Sequence, residues 1–365
     1  ATIKHIDVKG IQVPIIFEEQ KSLPILNLQL VFQNSGYIQD KDKSGLVSLS
    51  SKLLNEGTKE LGATAFAQEL EENAISLTTS NGFETFVIEL SHLKEQSNKG
   101  LSLLTDLLKS PNFSQDTLDK LKTIQNGSLK RKENDFDYVA NNQLKSVLFK
   151  GTTLENSAAG TIESISKIEL KDIENFISQT VCLENLIIVA GGDFELKEFE
   201  KLVKPLLETL NVGKKAQLEE VNFISKKEEK VLIKDTQQAY IYFGSSFNIN
   251  SKDEENYKAK VASFILGGSG FGSRLMEEIR VKRGLAYSAY GSISINKSHS
   301  YFNGYLQTKN ETADEAKKLV GEIIEDFVKN GVTNDELSAA KSFLTGSEPL
   351  RSETLSQRLN RAFTL

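Results

Sequence analysis

Apolar and polar residues alternate with a period of two in three short stretches of the chain, residues 26–32, 86–90 and 239–243. Successive side chains of a strand point to opposite faces of its sheet, so this alternation predicts strands that bury one face and expose the other. Strands of this kind are typical of antiparallel sheets.

A different period marks a stretch near the C-terminal end of the chain. Its apolar residues recur with the helical period of about 3.6 residues and are Leu319, Val320, Ile323, Ile324, Phe327 and Val328. Thr312 and Glu315 have the spacing of a capping box at its start, and Gly331 predicts its end. Thr333 and Glu336 predict a second capping box and a second helix. Antiparallel strands with helices gathered on one face of the sheet predict the α+β class.

The same order of elements occurs twice along the chain. The spacing from Leu118 to Gly127 equals that from Leu337 to Gly346, and a helical pattern precedes each pair. Further upstream, the run at 74–77 corresponds to the run at 286–289, each between an amphipathic helix and a strand-like stretch. We therefore predict two homologous domains, each an antiparallel-rich sheet with helices packed on one face.

The predicted domains are residues 1–207 and 229–365, and a polar stretch without periodicity at 208–228 is expected to be the linker between them. The second domain lacks a counterpart of the apolar run at residues 186–192. It is therefore expected to be incomplete at its C-terminal end.

Composition argues against some classes of partner. The 44 basic and 50 acidic residues are interleaved and give a net charge of −6, which disfavours broad affinity for nucleic acid. No apolar run approaches the roughly 20 residues of a transmembrane helix, so no membrane span is expected. Cys182 is the single cysteine. A single cysteine excludes an intrachain disulfide, and Cys182 is expected to be a small core residue. The compartment is not determined by this, so the bacterial periplasm and the cytoplasm are both allowed.

Candidate catalytic groups are scarce. His5, His92 and His299 are the only histidines, and no two of them have the spacing of zinc ligands. No Gly-x-Ser-x-Gly motif marks a nucleophilic serine. Residues 267–272 are rich in glycine but fit neither of the common phosphate-binding patterns, so they predict a flexible loop before an amphipathic helix.

The glycine-rich loop leads into Ser273-Arg274-Leu275, then Arg280, then Gly284-Leu285-Ala286-Tyr287. This segment resembles one in the inverted-zincin family that includes pitrilysin, insulin-degrading enzyme and the mitochondrial processing peptidase. In that family an Arg and a Tyr at this spacing reach from the second homologous unit to the peptide bound at the zinc. The resemblance implies this role for Arg280 and Tyr287, and it implies that the two domains form half of a clam-shell. An Arg side chain can donate to peptide carbonyls, and a Tyr hydroxyl can donate to a developing oxyanion.

The zinc ligands of the family have no counterpart in this chain. The family segment Gly-Leu-x-His-x-x-Glu-His, laid on the sequence from Gly45, puts Ser48 and Lys52 at the two histidines and Ser51 at the general base. The second glutamate of the family falls near Ser128. Hydroxyls and an ammonium do not replace imidazole and carboxylate as ligands of Zn²⁺. The resemblance therefore implies no metal and no cofactor in this chain, with the zinc in a partner chain.

These expectations combine into one functional prediction. The chain is a non-catalytic, substrate-binding subunit, inactive alone, of a heterodimeric zinc metalloendopeptidase that cleaves peptides or unfolded polypeptides. A homologous partner with an intact His-x-x-Glu-His supplies the zinc, and this chain supplies Arg280 and Tyr287 in trans. Two alternatives are a structural subunit, since core subunits of the respiratory bc1 complex resemble the processing peptidase, and a metal-free peptide-binding homodimer. The presence of both Arg280 and Tyr287 favours the peptidase subunit.

Overall fold

A computed structural model describes residues 2–221, 223 and 226–364 of the chain. These residues form two compact units. The first unit comprises the described residues of Ala1–Leu129, Ser157–Leu218 and Pro349–Leu365, and the second those of Lys130–Asn156 and Glu219–Glu348. Within the predicted linker, residues 222, 224 and 225 lie outside the described residues. The predicted domain limits follow the repeat along the chain and stay a prediction.

The strands and helices of the described residues follow one another in mixed order. The strands are β1 Thr2–Val8, β2 Ile11–Glu19, β3 Ile25–Gln33, β4 Ser76–Asn81, β5 Thr85–Leu93, β6 Leu186–Gly192, β7 Gln238–Ser246, β8 Ala286–Ile295 and β9 Ser300–Lys309. The helices are α1 Leu46–Leu54, α2 Gly62–Glu72, α3 Ser97–Lys109, α4 Gln115–Lys132, α5 Phe136–Leu148, α6 Ile162–Lys167, α7 Leu170–Thr180, α8 Leu196–Leu207, α9 Asn256–Ser263, α10 Arg274–Met276, α11 Ala313–Asn330, α12 Asn334–Gly346 and α13 Leu355–Thr364. The three stretches predicted to be strands lie in β3, β5 and β7, and the predicted apolar helix is α11.

The first unit is built on a sheet with the strand order β1-β2-β6-β3-β5-β4. Its neighbouring strands are antiparallel except β2 and β6, which are parallel. Leu28 of β3 lies opposite Leu90 of β5 on one side and Ala190 of β6 on the other, and all three are fully buried. The α+β class predicted from the sequence is confirmed. Cys182 is fully buried in this unit, as expected.

The second unit has a smaller antiparallel sheet with the order β7-β9-β8. Its core joins one face of this sheet to α11 through Leu306, Leu319 and Ile323, and Leu275 and Ile279 complete it. The order β7-β9-β8 repeats the order β3-β5-β4 of the first unit. This agreement supports the internal repeat read from the sequence.

Each unit also carries one helix on the opposite face of its sheet. In the first unit, Leu355 and Leu359 of α13 pack against Ile16, Val31 and Val189. The sequence analysis predicted helices packed on one face of each sheet and did not predict this additional helix. The strands beneath it have buried apolar residues on both faces, as Ile15 and Ile16 of β2 show, so the second face also needs a cover.

The equivalent position in the second unit belongs to α5. The Tyr242 hydroxyl of β7 donates to Asp137 Oδ1 at 3.2 Å, and Gln307 Nε2 of β9 donates to Asp137 Oδ2 at 2.6 Å. Phe136 contacts Tyr240 edge to face, with ring centroids 5.6 Å apart. A helix from the earlier part of the chain thus completes the second unit, and α13, from its later part, completes the first.

One of the two predicted capping boxes is present. Thr333 accepts from the Glu336 backbone N–H at 3.2 Å, and Glu336 accepts from the Thr333 N–H at 2.7 Å. The box predicted at Thr312 and Glu315 is wrong. A 3₁₀ turn leads directly into α11, so Thr312 is not extended, and its hydroxyl contacts Thr308 Oγ1 instead, at 2.7 Å.

A single guanidinium ties α10 to α11 and α12. The Arg274 side chain is only 15% exposed and donates to both carboxylate oxygens of Glu336, at 2.5 and 2.7 Å. It also donates to the Gly331 carbonyl at 2.7 Å and to Asp326 at 3.2 Å, and it lies over the ring of Phe327. This arginine, together with the capping bonds to Thr333, lowers the pKa of the Glu336 carboxyl to about 2.

This pKa shift predicts a pH-dependent stability. Above its ordinary pKa, the Glu336 carboxylate is charged in the folded and in the unfolded chain, and its contacts with Arg274 stabilise the folded one. This contribution to the free energy of unfolding is lost as the pH falls from 4.5 towards 2. We expect Glu336→Gln to lower the free energy of unfolding by about 1–3 kcal/mol at neutral pH and by less in acid.

Urea unfolding followed by tyrosine fluorescence measures this effect in the second unit. The chain has no tryptophan, and of its 9 tyrosines only Tyr37 belongs to the first unit. Glu322→Gln is the control, because Glu322 is exposed and its ion pair among the described residues is with the exposed Lys318, at 3.5 Å. A loss of stability that is the same at neutral and acid pH would contradict the assignment.

Candidate functional site

Two π-helical turns shape the segment that carries the predicted site residues. They are Phe264–Gly268 and Glu277–Val281, on either side of α10. In the second turn the Lys282 N–H donates to the Glu277 carbonyl, five residues earlier, at 2.9 Å. Such turns are rare and are frequently found at functional sites. The extra residue changes the direction in which the side chains that follow leave the helix, and Arg280 lies within this turn.

The glycine-rich loop is held close to the edge strand β8. A Cβ atom on Gly267 would lie 2.4 Å from the backbone nitrogen of Gly291, so no other residue fits at this position. Beside it, the Ile293 N–H of β8 donates to Ser263 Oγ at 3.0 Å. Gly270 has a φ of +66°, which favours glycine in the turn that follows. The glycines thus serve close packing and a tight turn.

A β-bulge places Tyr287 at the start of β8. Ala286 lies opposite Thr308 and Ala289 opposite Leu306, so β8 has one more residue than β9 in this interval. Bulges redirect side chains and are common next to functional sites. Ala286 and Ala289 are buried, whereas the Tyr287 side chain between them is 80% exposed.

Arg280 and Tyr287 are brought into direct contact. The guanidinium carbon of Arg280 lies 4.6 Å from the centre of the Tyr287 ring and 4.6 Å from that of the Phe271 ring. The guanidinium therefore contacts two exposed aromatic rings, an arrangement that cation–π attraction stabilises. Phe271 was not among the residues that the sequence singled out, although its position between Gly270 and Gly272 is unusual for a large apolar side chain.

The other basic residues of this segment have acidic partners. Arg274 pairs with Glu336, while Lys282 and Arg283 share Glu278 at 2.6 and 2.7 Å. Within the part of the chain that the structure describes, no carboxylate pairs with Arg280. Its N–H groups are therefore available to a ligand.

The positions predicted to correspond to the family's zinc site lie in the first unit. Ser48 and Lys52 lie one turn apart on α1 and are half-buried, and Ser51 is buried. The Lys52 ammonium donates a short hydrogen bond to the Gln125 side-chain carbonyl of α4, and Gln125 in turn donates to the Ala159 carbonyl at 2.8 Å. Ser128 lies one turn further along α4. The sequence did not identify Gln125, which is the residue of α4 that meets Lys52.

Hydrogen bonds fill this site. The Ser51 hydroxyl lies 3.0 Å from the Ser48 carbonyl and 3.1 Å from Asn81 Oδ1. At the start of α1, Asp40 accepts from the Gly45 and Val47 N–H groups, both at 2.8 Å, and burial raises its pKa to about 7. An ammonium that donates to a buried amide is a poor fit for Zn²⁺, because it adds positive charge where the metal would bind. Among the described residues, no group of three His, Cys, Asp or Glu is placed to hold a metal ion, and no helix could cross a membrane.

Comparison with known proteins identifies the family. Residues 16–162 match the family described as insulinase, peptidase family M16, and residues 167–344 match the peptidase M16 inactive domain. The chain is 45% identical over 363 residues to the protein of Helicobacter pylori named non-peptidase homolog YmxG, covering 100% of this chain and 84% of that one. It is 22% identical to a Bacillus subtilis protein named uncharacterized zinc protease YmxG, over 87% and 77% of the two chains.

Solved structures of similar proteins show the same fold. A peptidase M16 inactive domain from Pseudomonas fluorescens superposes with a TM-score of 0.86 and 25% identity, over 95% of this chain and 84% of that one. A protease from Helicobacter pylori gives 0.87 with 18% identity, over 100% and 88%. The family matches and the fold define a chain of the zinc-peptidase class, and its sequence contains no His-x-x-Glu-His. The chain belongs to peptidase family M16, which confirms the resemblance read from the sequence.

The hydrogen bond at Lys52 is expected to hold α1 to α4. Lys52→Met leaves the buried oxygen of Gln125 without this donor, and we expect the free energy of unfolding of the first unit to fall by about 1–3 kcal/mol. Lys59→Met is the control, because Lys59 is exposed. Urea unfolding followed by circular dichroism measures the difference, with and without added zinc. A midpoint that rises on adding zinc to the wild-type chain would contradict this view of the site.

Proposed function

We propose that this chain is a non-catalytic, substrate-binding subunit of a heterodimeric zinc metallopeptidase that acts on peptides or unfolded polypeptides. It contributes Arg280 and Tyr287 to an active site whose zinc is bound by a homologous partner with His-x-x-Glu-His. The observation that carries the proposal is the Arg280 side chain, which has no acidic partner among the described residues and lies against the exposed ring of Tyr287.

The chemistry of the two side chains supports this role. A guanidinium donates several N–H groups in a fixed plane and can hold a peptide carbonyl without accepting a proton. A tyrosine hydroxyl can donate to the oxygen of the scissile carbonyl as negative charge develops on it. Tyr287 has no part in the core that would explain its presence, since it is 80% exposed, and Arg280 is half-buried without a described acidic partner.

The residues at α1 support a chain that does not cleave peptides by itself. Ser48, Ser51 and Lys52 offer neither the neutral imidazole nor the carboxylate that binds zinc and activates water. The Helicobacter pylori relative is named a non-peptidase homolog, and the family of residues 167–344 is described as an inactive domain. Both descriptions support a chain that is not itself catalytic.

Reconstitution tests the proposal. The chain is mixed with an M16 protein from the same cell that retains His-x-x-Glu-His, and cleavage of a fluorogenic peptide is followed. We expect neither chain alone to reach the activity of the mixture. Tyr287→Phe should lower kcat of the mixture by roughly 10- to 1,000-fold, because it removes a donor to the transition state. Arg280→Ala should lower kcat/KM by roughly 10- to 100-fold, because it removes a charged donor.

Arg283→Ala is the matched control. Arg283 belongs to the same segment, but its guanidinium donates to Glu278 at 2.7 Å and is not expected to reach the ligand. Full activity after both Arg280→Ala and Tyr287→Phe would disprove the assigned roles. A chain that co-purifies only with a large membrane complex, or only as a metal-free dimer with itself, would instead favour a structural subunit or a peptide-binding homodimer.

A further inference from the structure

Phe271 is an exposed aromatic residue outside the core of the second unit. Its side chain is 68% exposed, in the turn Gly270–Gly272. The turn is fixed from behind, since Ser273 Oγ donates to the Gly270 carbonyl at 2.8 Å and accepts from the Met276 N–H at 3.3 Å. An exposed phenyl group in a held turn, beside the exposed ring of Tyr287, offers apolar surface that a ligand can cover.

The ring of Phe271 lies against the Arg280 guanidinium, which the proposed function assigns to substrate binding. Its centre is 4.6 Å from the guanidinium carbon of Arg280, the same distance as that of Tyr287. Rings that lie over a guanidinium leave its N–H groups, which lie in the guanidinium plane, as the part open to a ligand. A hydrogen-bond acceptor that pairs with Arg280 therefore lies close to two exposed rings.

The side chains that contact the Arg280 guanidinium are aromatic and exposed. Phe271 and Tyr287 are 68% and 80% exposed, and Val281, next to Arg280 in the chain, is 55% exposed. An exposed apolar cluster around one charged group is typical of a binding site in which polar contacts fix orientation and apolar contacts add affinity.

We propose that Phe271 is a third substrate-contacting residue, which binds a large apolar side chain of the polypeptide next to the carbonyl held by Arg280. The inference rests on the proposed function and adds a substrate preference to it, for segments rich in aromatic or large aliphatic residues. Because Phe271 is exposed and not in the core, its replacement leaves the fold intact.

Binding of labelled peptides to this chain alone tests the inference. Two flexible peptides of Gly and Ser are compared by fluorescence anisotropy, one with a single central Phe and one with Ser at that position. Partial burial of one aromatic side chain predicts that the wild-type chain binds the Phe peptide roughly five- to tenfold more tightly. Phe271→Ala should bring this ratio close to one, and Phe271→Tyr should keep it.

Further variants separate the inference from the proposed function. Arg280→Ala should weaken binding of both peptides by a similar factor. Tyr257→Ala is the matched control, because Tyr257 is 59% exposed elsewhere on the same unit, in α9, and it should change neither affinity. The urea midpoint from tyrosine fluorescence verifies that each variant is folded.

The possible outcomes are distinct. A ratio near one for the wild-type chain, a ratio unchanged by Phe271→Ala, or no binding of either peptide overturns the inference. Cleavage by the reconstituted mixture that still depends on Arg280 and Tyr287 would leave the proposed function standing in each of these cases. A preserved ratio with no cleavage by any mixture would keep the peptide preference and reject the peptidase subunit.

Discussion

The contacts of the Arg274 guanidinium are the interaction on which the candidate functional segment depends. A largely buried charge is tolerated only when its hydrogen-bonding groups are satisfied, and Arg274 meets this condition with Glu336, Gly331 and Asp326. Because these partners belong to α11, to α12 and to the turn between them, α10 is fixed to the helical layer of the second unit. The π-helical turn with Arg280 follows α10 directly, so its direction is set by the same contacts.

The salt bridges of this segment involve other basic residues and leave the Arg280 guanidinium available to a ligand. Glu336 and Asp326 serve Arg274, and Glu278 serves both Lys282 and Arg283. Arg280 has aromatic contacts instead, which hold a guanidinium in place without neutralising it. In the first unit, Lys52 and Gln125 form a hydrogen bond at the position where the family resemblance predicts the degenerate zinc site. That predicted site is thus filled by internal hydrogen bonds, while the Arg280 guanidinium has no carboxylate partner among the described residues.

Periodicity was sufficient to predict β3, β5, β7 and α11, because each buries one face against a regular partner. Other features depend on contacts distant in sequence. The covering helices α5 and α13 pack against strands from the other half of the chain, and no local pattern encodes that choice. The capping box at Thr312 failed because a 3₁₀ turn precedes the helix.

The candidate site could be predicted from the sequence only in part. The spacing of Arg280 and Tyr287 pointed to it through a family resemblance, whereas the π-helical turn and the bulge that bring the two together have no signature in the sequence. Phe271 and Gln125 were not identified from the sequence because their significance depends on the residues that they contact in the fold.

The measurement that tests the central claim most directly is photo-crosslinking from Tyr287→benzoylphenylalanine, in a mixture with the zinc-binding partner and a labelled substrate polypeptide. We predict a crosslink to the substrate that unlabelled substrate suppresses and that is absent from the same substitution at Tyr257. Crosslinks to the partner alone, or equal labelling from both positions, would contradict a substrate-binding role for this segment.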